Sequence, residues 1–324
     1  MKKLIAFFFI TVNIGLMQSQ TYKEFVAKGD DCYKAKDYKG SVGYYEKAFK
    51  IEHKSSSDLY NGACAAALNN DDDKAFKWLD LAIDNGYEDI AHIKIDNDLE
   101  SLHNKKEWIK TIDKLQKQMD ILSANYDKPL QKELLDIYTE DQGIRGDFMK
   151  IYKAPNADKK KIDSIGKLMG KKDSINLIRV MKILDEKGWV GKDVVGSEAN
   201  ETLFYVIQHS DLKYQQKYLP MMRDAVKKGN ASPGNLAYLE DRVALREGKK
   251  QIYGSQVSYH PTTKIPFVSP LEDPDNVDKR RASVGLGTLS DYLKNFNAAW
   301  DVEAYKKELP EFEKLLKEKK QKTN

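Results

Sequence analysis

The residue pattern specifies a mainly α protein: a short helical-repeat unit followed by a helical domain that carries a small β-hairpin. Three observations lead there. Small and apolar residues recur 34 positions apart between residues 22 and 86. Beyond Pro129 the apolar residues fall at spacings of three, four and seven, the period of a helix face. Between Gln251 and Val268 the period drops to two, as in strands.

At the N-terminus, Lys2 and Lys3 precede an apolar run from Leu4 to Met17, and Ser19 offers a small residue for cleavage, the layout of a secretory signal. Residues 1–19 are therefore expected to be removed and the product to be exported, periplasmic or secreted. A membrane anchor would need about 20 apolar residues. This run is shorter, is broken by Asn13 and is followed by Gln20-Thr21-Tyr22-Lys23, so no stable anchor is expected after cleavage. An uncleaved N-terminal anchor is the rival reading. No cysteine stands at the end of the signal for lipid attachment, the first being Cys32.

The formal charge is +4, with 54 basic and 50 acidic residues interspersed. Such mixing describes a solvated helical surface laced with ion pairs. It lacks the concentrated basic face that nucleic-acid binding requires, so no nucleic-acid partner is expected. Two cysteines cannot form a disulfide framework, although one bridge is open to them.

The repeat begins with Phe25, Gly29, Cys32, Ser41, Tyr45 and Ala48. Thirty-four residues later stand Leu59, Ala63, Ala66, Ala75, Leu79 and Ala82. Small residues fall where helices approach closely and larger ones fill the gaps between them. The runs Lys36-Asp37-Tyr38-Lys39-Gly40 and Asn69–Asp73 are the turns inside the two units, and Asn85-Gly86 caps the end of the second. Asp96, Asp98, Leu99, Leu102 and Trp108 then form a closing tail. In length and phase these units resemble the tetratricopeptide (TPR) repeat over residues 20–118. The resemblance implies a protein or peptide partner held on this unit; a prop packed against the C-terminal domain is the bland alternative. Cys32 and Cys64 lie on equivalent helices and are read as small core residues, with a disulfide as the other reading.

The second domain is expected over 128–300, with 301–324 as a C-terminal helix and basic tail. Its first helix has Leu130, Leu134, Ile137, Ile144, Phe148 and Ile151 on one face, and Asp141 interrupts that stripe. A buried carboxylate needs a partner, and Arg145 stands one turn on, with Gln142 beside them. Such a group is either a polar clasp or a ligand-binding or catalytic carboxylate. Residues 155–172, rich in lysine and opened by Ala154-Pro155-Asn156, suggest an exposed loop or a short surface helix. A helix is expected to resume with Asp173 as its cap and to run to Glu186, with Asn176 and Arg179 near its apolar side.

Further helices are expected at Ser197–Gln208, Leu212–Lys228 (bent or restarted at Pro220) and Gly234–Glu247. His209 closes the first of these and is followed by Asp211. A carboxylate can orient one imidazole nitrogen and leave the other for proton transfer, yet a histidine there is also a common cap at the negative end of the helix dipole. Asp241 and Arg242 interrupt the last helix. Gln251–Tyr259 and Lys264–Val268 are expected to pair as strands, with Gly254 marking a bulge or a close approach.

Gln208-His209, Leu236-Ala237-Tyr238-Leu239, Asp241-Arg242-Val243, Gln251-Ile252-Tyr253-Gly254-Ser255-Gln256, Asp273-Pro274 and Val277-Asp278-Lys279-Arg280-Arg281 together resemble a family of bacterial domains of unknown function, from about 128 to 294. Ser255 replaces the threonine common there and Val190 a proline. The resemblance implies a domain and no activity.

The acidic run from Glu272 to Asp278 lacks the glycine and terminal glutamate of an EF-hand loop. His53, His92, His103, His209 and His260 are scattered without zinc spacing. No P-loop, dinucleotide fingerprint or nucleophile elbow occurs, so neither metal nor cofactor is expected. Two functions stay open. One is a TPR-type interaction module joined to a helical ligand-binding domain, with Arg145, Arg242, Gln251, Tyr253 and Gln256 as candidate ligand contacts. The other is a hydrolase-like enzyme with a polar site built from Asp141, His209, Asp241 and Gln251. His209, Asp141 and Asp241 are the candidate catalytic residues. Lastly, Val302, Tyr305, Leu309, Phe312 and Leu316 form a helical stripe interrupted at Pro310.

Overall fold

A computed structural model describes residues 22–52, 55–154 and 158–323; the expected signal at 1–19 lies outside the described residues. The chain divides into two compact units, residues 1–124 and 125–324. It is mainly α, with one two-stranded sheet among the described residues. No helix among those residues is long and apolar enough to cross a membrane.

The first unit is a stack of helices: α1 (22–34), α2 (Tyr38–Ile51), α3 (Ser56–Leu68), α4 (Asp72–Asp84), α5 (Ile90–Ile95), a 3-10 turn (Asn97–Leu102) and α6 (Lys106–Ala124). The 34-residue period extends to the turn chemistry. Lys36 and Asn70 both take the left-handed conformation. The next residues, Asp37 and Asp71, cap α2 and α4 by accepting the N–H of Gly40 and Lys74. Ser41, Tyr45 and Ala48 are buried, as are Leu59, Ala63, Ala66, Ala75, Leu79 and Ala82. Gly29 is small for a visible reason: a Cβ there would lie 3.1 Å from the Tyr45 ring. Leu99, Leu102 and Trp108 close the core. Cys32 and Cys64 are both free thiols.

The second unit opens with α7 (Lys128–Tyr152) and α8 (Lys159–Lys187), followed by α9 (Lys192–Val195), α10 (Ser197–His209), α11 (Leu212–Lys227) and α12 (Pro233–Arg246). Leu130, Leu134, Ile137, Val180, Ile183 and Leu184 of the α7–α8 pair share a core with Leu203, Ile207, Met222 and Leu239. Two expectations are corrected here. The stretch 159–172 is neither a loop nor a separate short helix but the first half of α8, so Asp173 sits inside that helix instead of capping it; its cap is Asp158. The buried stripe of α7 ends at Ile144, and Phe148 and Ile151 are only partly covered.

A smaller core joins β1 (Val257–Tyr259) and β2 (Pro266–Val268) to α13 (Val277–Ser283), α14 (Leu289–Lys294) and α15 (Val302–Thr323). The strands are antiparallel, with Val257 opposite Val268 and Tyr259 opposite Pro266. They are shorter than the alternation suggests because the N–H groups of Ile252, Tyr253 and Ser255 turn towards the Asp241 carboxylate and leave the ladder. Helix α11 continues through Pro220 and α15 through Pro310, so neither proline ends its helix. Tyr305 and Phe312 of α15 are buried against Val268, Leu271 and Leu293.

Candidate functional site

Asp141 occupies the buried stripe of α7 and its side chain is 1% exposed. Its carboxylate gathers three partners from two helices. Gln142 donates Nε2 to Oδ2 at 2.6 Å, and Arg145 Nη1 lies 3.2 Å from Oδ1. His209 Nδ1, on α10, lies 3.3 Å from Oδ1 and 3.2 Å from Oδ2. The acid that orients His209 is thus Asp141, 68 residues earlier, and not the adjacent Asp211. Asp211 instead precedes α11 and its charge acts on Arg246.

The expected Asp141–Arg145 pair forms, but Arg145 gives its fork to another acid. Its Nη1 and Nη2 donate to Asp173 Oδ1 and Oδ2 at 2.9 and 3.1 Å, and Nη1 also reaches the Asp141 main-chain carbonyl. Bidentate geometry of this kind is the strong form of the ion pair. Asp173 is not legible as a site residue in the sequence, because its partner stands on another helix, 28 residues away, and its own position suggests a helix cap.

The ring of His209 is 22% exposed, and among the described residues its Nε2 has no hydrogen-bond partner. An ionised Asp141 holds the proton on Nδ1 and leaves the Nε2 lone pair outward, an arrangement suited to accepting a proton from a bound molecule or water. Around it the end of α10 is held by α12: Arg242 Nη1 donates to the Gln208 carbonyl at 3.3 Å and Arg246 Nη1 to the Ser210 carbonyl at 2.7 Å. Arg246 was not singled out in the sequence; its i,i+4 spacing from Arg242 was the available signal.

The other candidates lie in a different, structural cluster. Asp241 is fully buried and accepts the N–H groups of Ile252 (2.7 Å), Tyr253 (3.0 Å) and Ser255 (2.9 Å). Burial pushes its carboxyl pKa up, and the three N–H donors pull it back. Gln251, also fully buried, donates to the carbonyls of Gln256 and Ser269 and accepts the Gln256 N–H, tying the hairpin to the following loop. Tyr253 gives its carbonyl to the buried Arg281, which also holds the Gly287 carbonyl and lies over the Tyr292 ring. Gln256 donates to Ser255 Oγ. Gly254 has φ of +68° with Leu289 methyls 3.2 and 3.3 Å from where a Cβ would lie, so the close approach it signalled is a side chain of this chain. The constellation Asp141, His209, Asp241 and Gln251 therefore divides: the first two face one another, while the hydrogen-bonding groups of Asp241 and Gln251 are taken up by backbone.

In the first unit, Cys64, Asp96 and Asp98 bring a thiol and two carboxylates within 4.8 Å. Tyr60 donates to Asp96 at 2.7 Å and Tyr33 donates to Asp98, so phenols occupy these oxygens and fasten the tail to the repeats. Burial, then the two aspartates, push the Cys64 thiol pKa far up.

Fold and site together define a mainly α protein whose C-terminal domain is organised by buried carboxylates, one facing a histidine and one facing a loop. The model of a family of unknown function, DUF6624, matches residues 128–305, more than half of the chain, and the chain belongs to that family. No curated protein and no solved structure matches it.

Proposed function

We propose that this is an exported protein with two binding functions: a TPR-type unit that holds a protein or peptide partner, and a helical domain that binds a small ligand at His209. The observation that carries the second is the buried Asp141 carboxylate fixing one nitrogen of a partly exposed imidazole. Burying an acid costs free energy, and here the outlay positions a single accessible nitrogen. Support for the first comes from the two 34-residue units with matching caps, and from a shallow groove on them flanked by Phe49, Trp78, Lys74 and Glu46.

A second reading, in which the ligand is also a substrate, is favoured by the same pair, since Asp141 and His209 supply a general base. It no longer includes Asp241 or Gln251. Ser210, next to His209, is buried and donates to the Ile207 carbonyl, and in this reading water is the nucleophile.

The ligand site is tested by a small-molecule thermal-shift screen on the full chain and on His209→Gln. Compounds that raise the melting temperature of the wild type and not of the variant support it; compounds that raise both equally refute it. The interaction unit is tested by affinity capture from the exported fraction with and without residues 20–118. Retention of every partner after the deletion refutes that part.

A further inference from the structure

Among the described residues of this domain, Arg242 is a cation whose environment asks for something the chain does not supply. It is partly buried, with its Nε cut off from solvent, and among the described residues no carboxylate lies within ion-pair distance of it. Nη1 makes a long bond to the Gln208 carbonyl, and Nε is buried with no acceptor. Beside it, the side-chain oxygens of Gln208 and Gln215 are buried without donors, although Gln215 Nε2 is fixed on the same Gln208 carbonyl. Buried charges are ordinarily paired and buried polar atoms hydrogen-bonded. Of these orphaned atoms only Nε is a donor and lacks an acceptor, whereas the two glutamine oxygens are acceptors and lack donors; all three belong to residues joined through the Gln208 carbonyl, next in sequence to His209.

Nor do the neighbours neutralise Arg242. Burial first, then the positive charge of Arg246, push its pKa down to about 10, with Tyr292 opposing the shift and Arg145 adding to it, which still leaves the group charged at neutral pH. Arg145 is already saturated by Asp173 and Asp141. Capping the end of α10 explains Nη1 and sets the charge at the negative end of the helix dipole, but it gives Nε no acceptor and the guanidinium no full counter-charge.

We propose that Arg242 binds an oxyanion group, a phosphate or a carboxylate, of the ligand presented to His209, an inference that rests on the His209-centred site proposed above. Guanidinium offers such groups parallel donors, and an oxyanion at its partly exposed edge would offset the charge that the chain leaves unpaired.

The test uses the full chain labelled with nitrogen-15 at arginine and histidine, titrated separately with inorganic phosphate and with acetate. The Nε–H resonance of Arg242 is expected to shift saturably with at least one of them, and the better binder tells whether the tetrahedral or the planar anion is the natural group. Arg242→Gln is expected to weaken that binding at least tenfold and Arg242→Lys to retain part of it; Arg223→Gln, which removes a surface arginine paired with Glu240, should leave it unchanged. If Arg242→Gln does not fold, the wild-type titration and Arg242→Lys decide. Failure of both anions to move Arg242, or equal binding by Arg242→Gln, overturns the proposal. The His209 reading fails separately: an anion that shifts Arg242 while no screened compound depends on His209 keeps the oxyanion site and removes the shared ligand. Uncharged ligands that depend on His209, with an unresponsive Arg242, do the reverse.

Discussion

At the scale of single residues, unequal partner sharing around Asp141 has an energetic consequence. Arg145 has two acids and is 20% exposed, whereas Asp141 is 1% exposed and has one cation of fixed charge. Removing Asp141 leaves Arg145 with Asp173, while removing Arg145 leaves a buried carboxylate with Gln142 and His209. Denaturant titrations are therefore expected to rank Arg145→Met, at ~3–5 kcal/mol, above Asp141→Leu, at ~1–3 kcal/mol. The reverse order would mean that Asp141 is chiefly a clasp on Arg145. For Asp241 the expectation is simpler. Alanine there strands one buried and two partly buried N–H groups, and a buried one alone costs ~1–3 kcal/mol, so Asp241→Ala should cost at least ~2 kcal/mol, and a loss under 1 kcal/mol would contradict the loop-clasp role. Asp141 was legible in the sequence because a helical period makes a misplaced carboxylate conspicuous. Its partner His209 was not, since no local spacing reports a contact between residues 68 apart, and the nearby Asp211 offered a plausible substitute.

Among the elements, α7 and α8 form the longest antiparallel pair, and their two halves differ. The proximal half packs in the main core, while beyond Ile144 on α7 and before Asn176 on α8 no residue is buried. Lysine-rich composition makes 159–172 look like a loop or a short surface helix; one long helix runs through it because the half-covered Ile162, Ile165 and Met169 keep the period that continues to the buried Asn176 and Val180. Gly166 and Gly170 interrupt this segment, and a Cβ at either meets nothing within 4 Å. Gly166→Ala and Gly170→Ala are each expected to stabilise by ~0.5–1 kcal/mol, through helix propensity and a less flexible unfolded chain. Destabilisation by either in equilibrium unfolding would show that the arm is not helical at that point. The hairpin was overread for the opposite reason: alternation from Gln251 onward is real, yet Asp241 captures the amides a strand would need. The sequence already suggests a helix over Leu212–Lys228, bent or restarted at Pro220, and it is not restarted there; α15 likewise runs on through Pro310, where the sequence suggests an interruption.

Across the whole molecule, the mainly α fold and the family domain were readable from periodicity and motif, whereas the site had to be assembled from α7, α8, α10 and α12. Its centre is the orientation of one imidazole by one buried carboxylate, with an uncompensated guanidinium next in space to the same helix end. The most direct measurement is nitrogen-15 NMR of the His209 ring in the full chain, at a pH where the imidazole is neutral. The account requires the proton on Nδ1, facing Asp141, with Nε2 unprotonated, and loss of that tautomer preference in Asp141→Leu. A proton on Nε2 in the wild type, or a tautomer unchanged by Asp141→Leu, would contradict it.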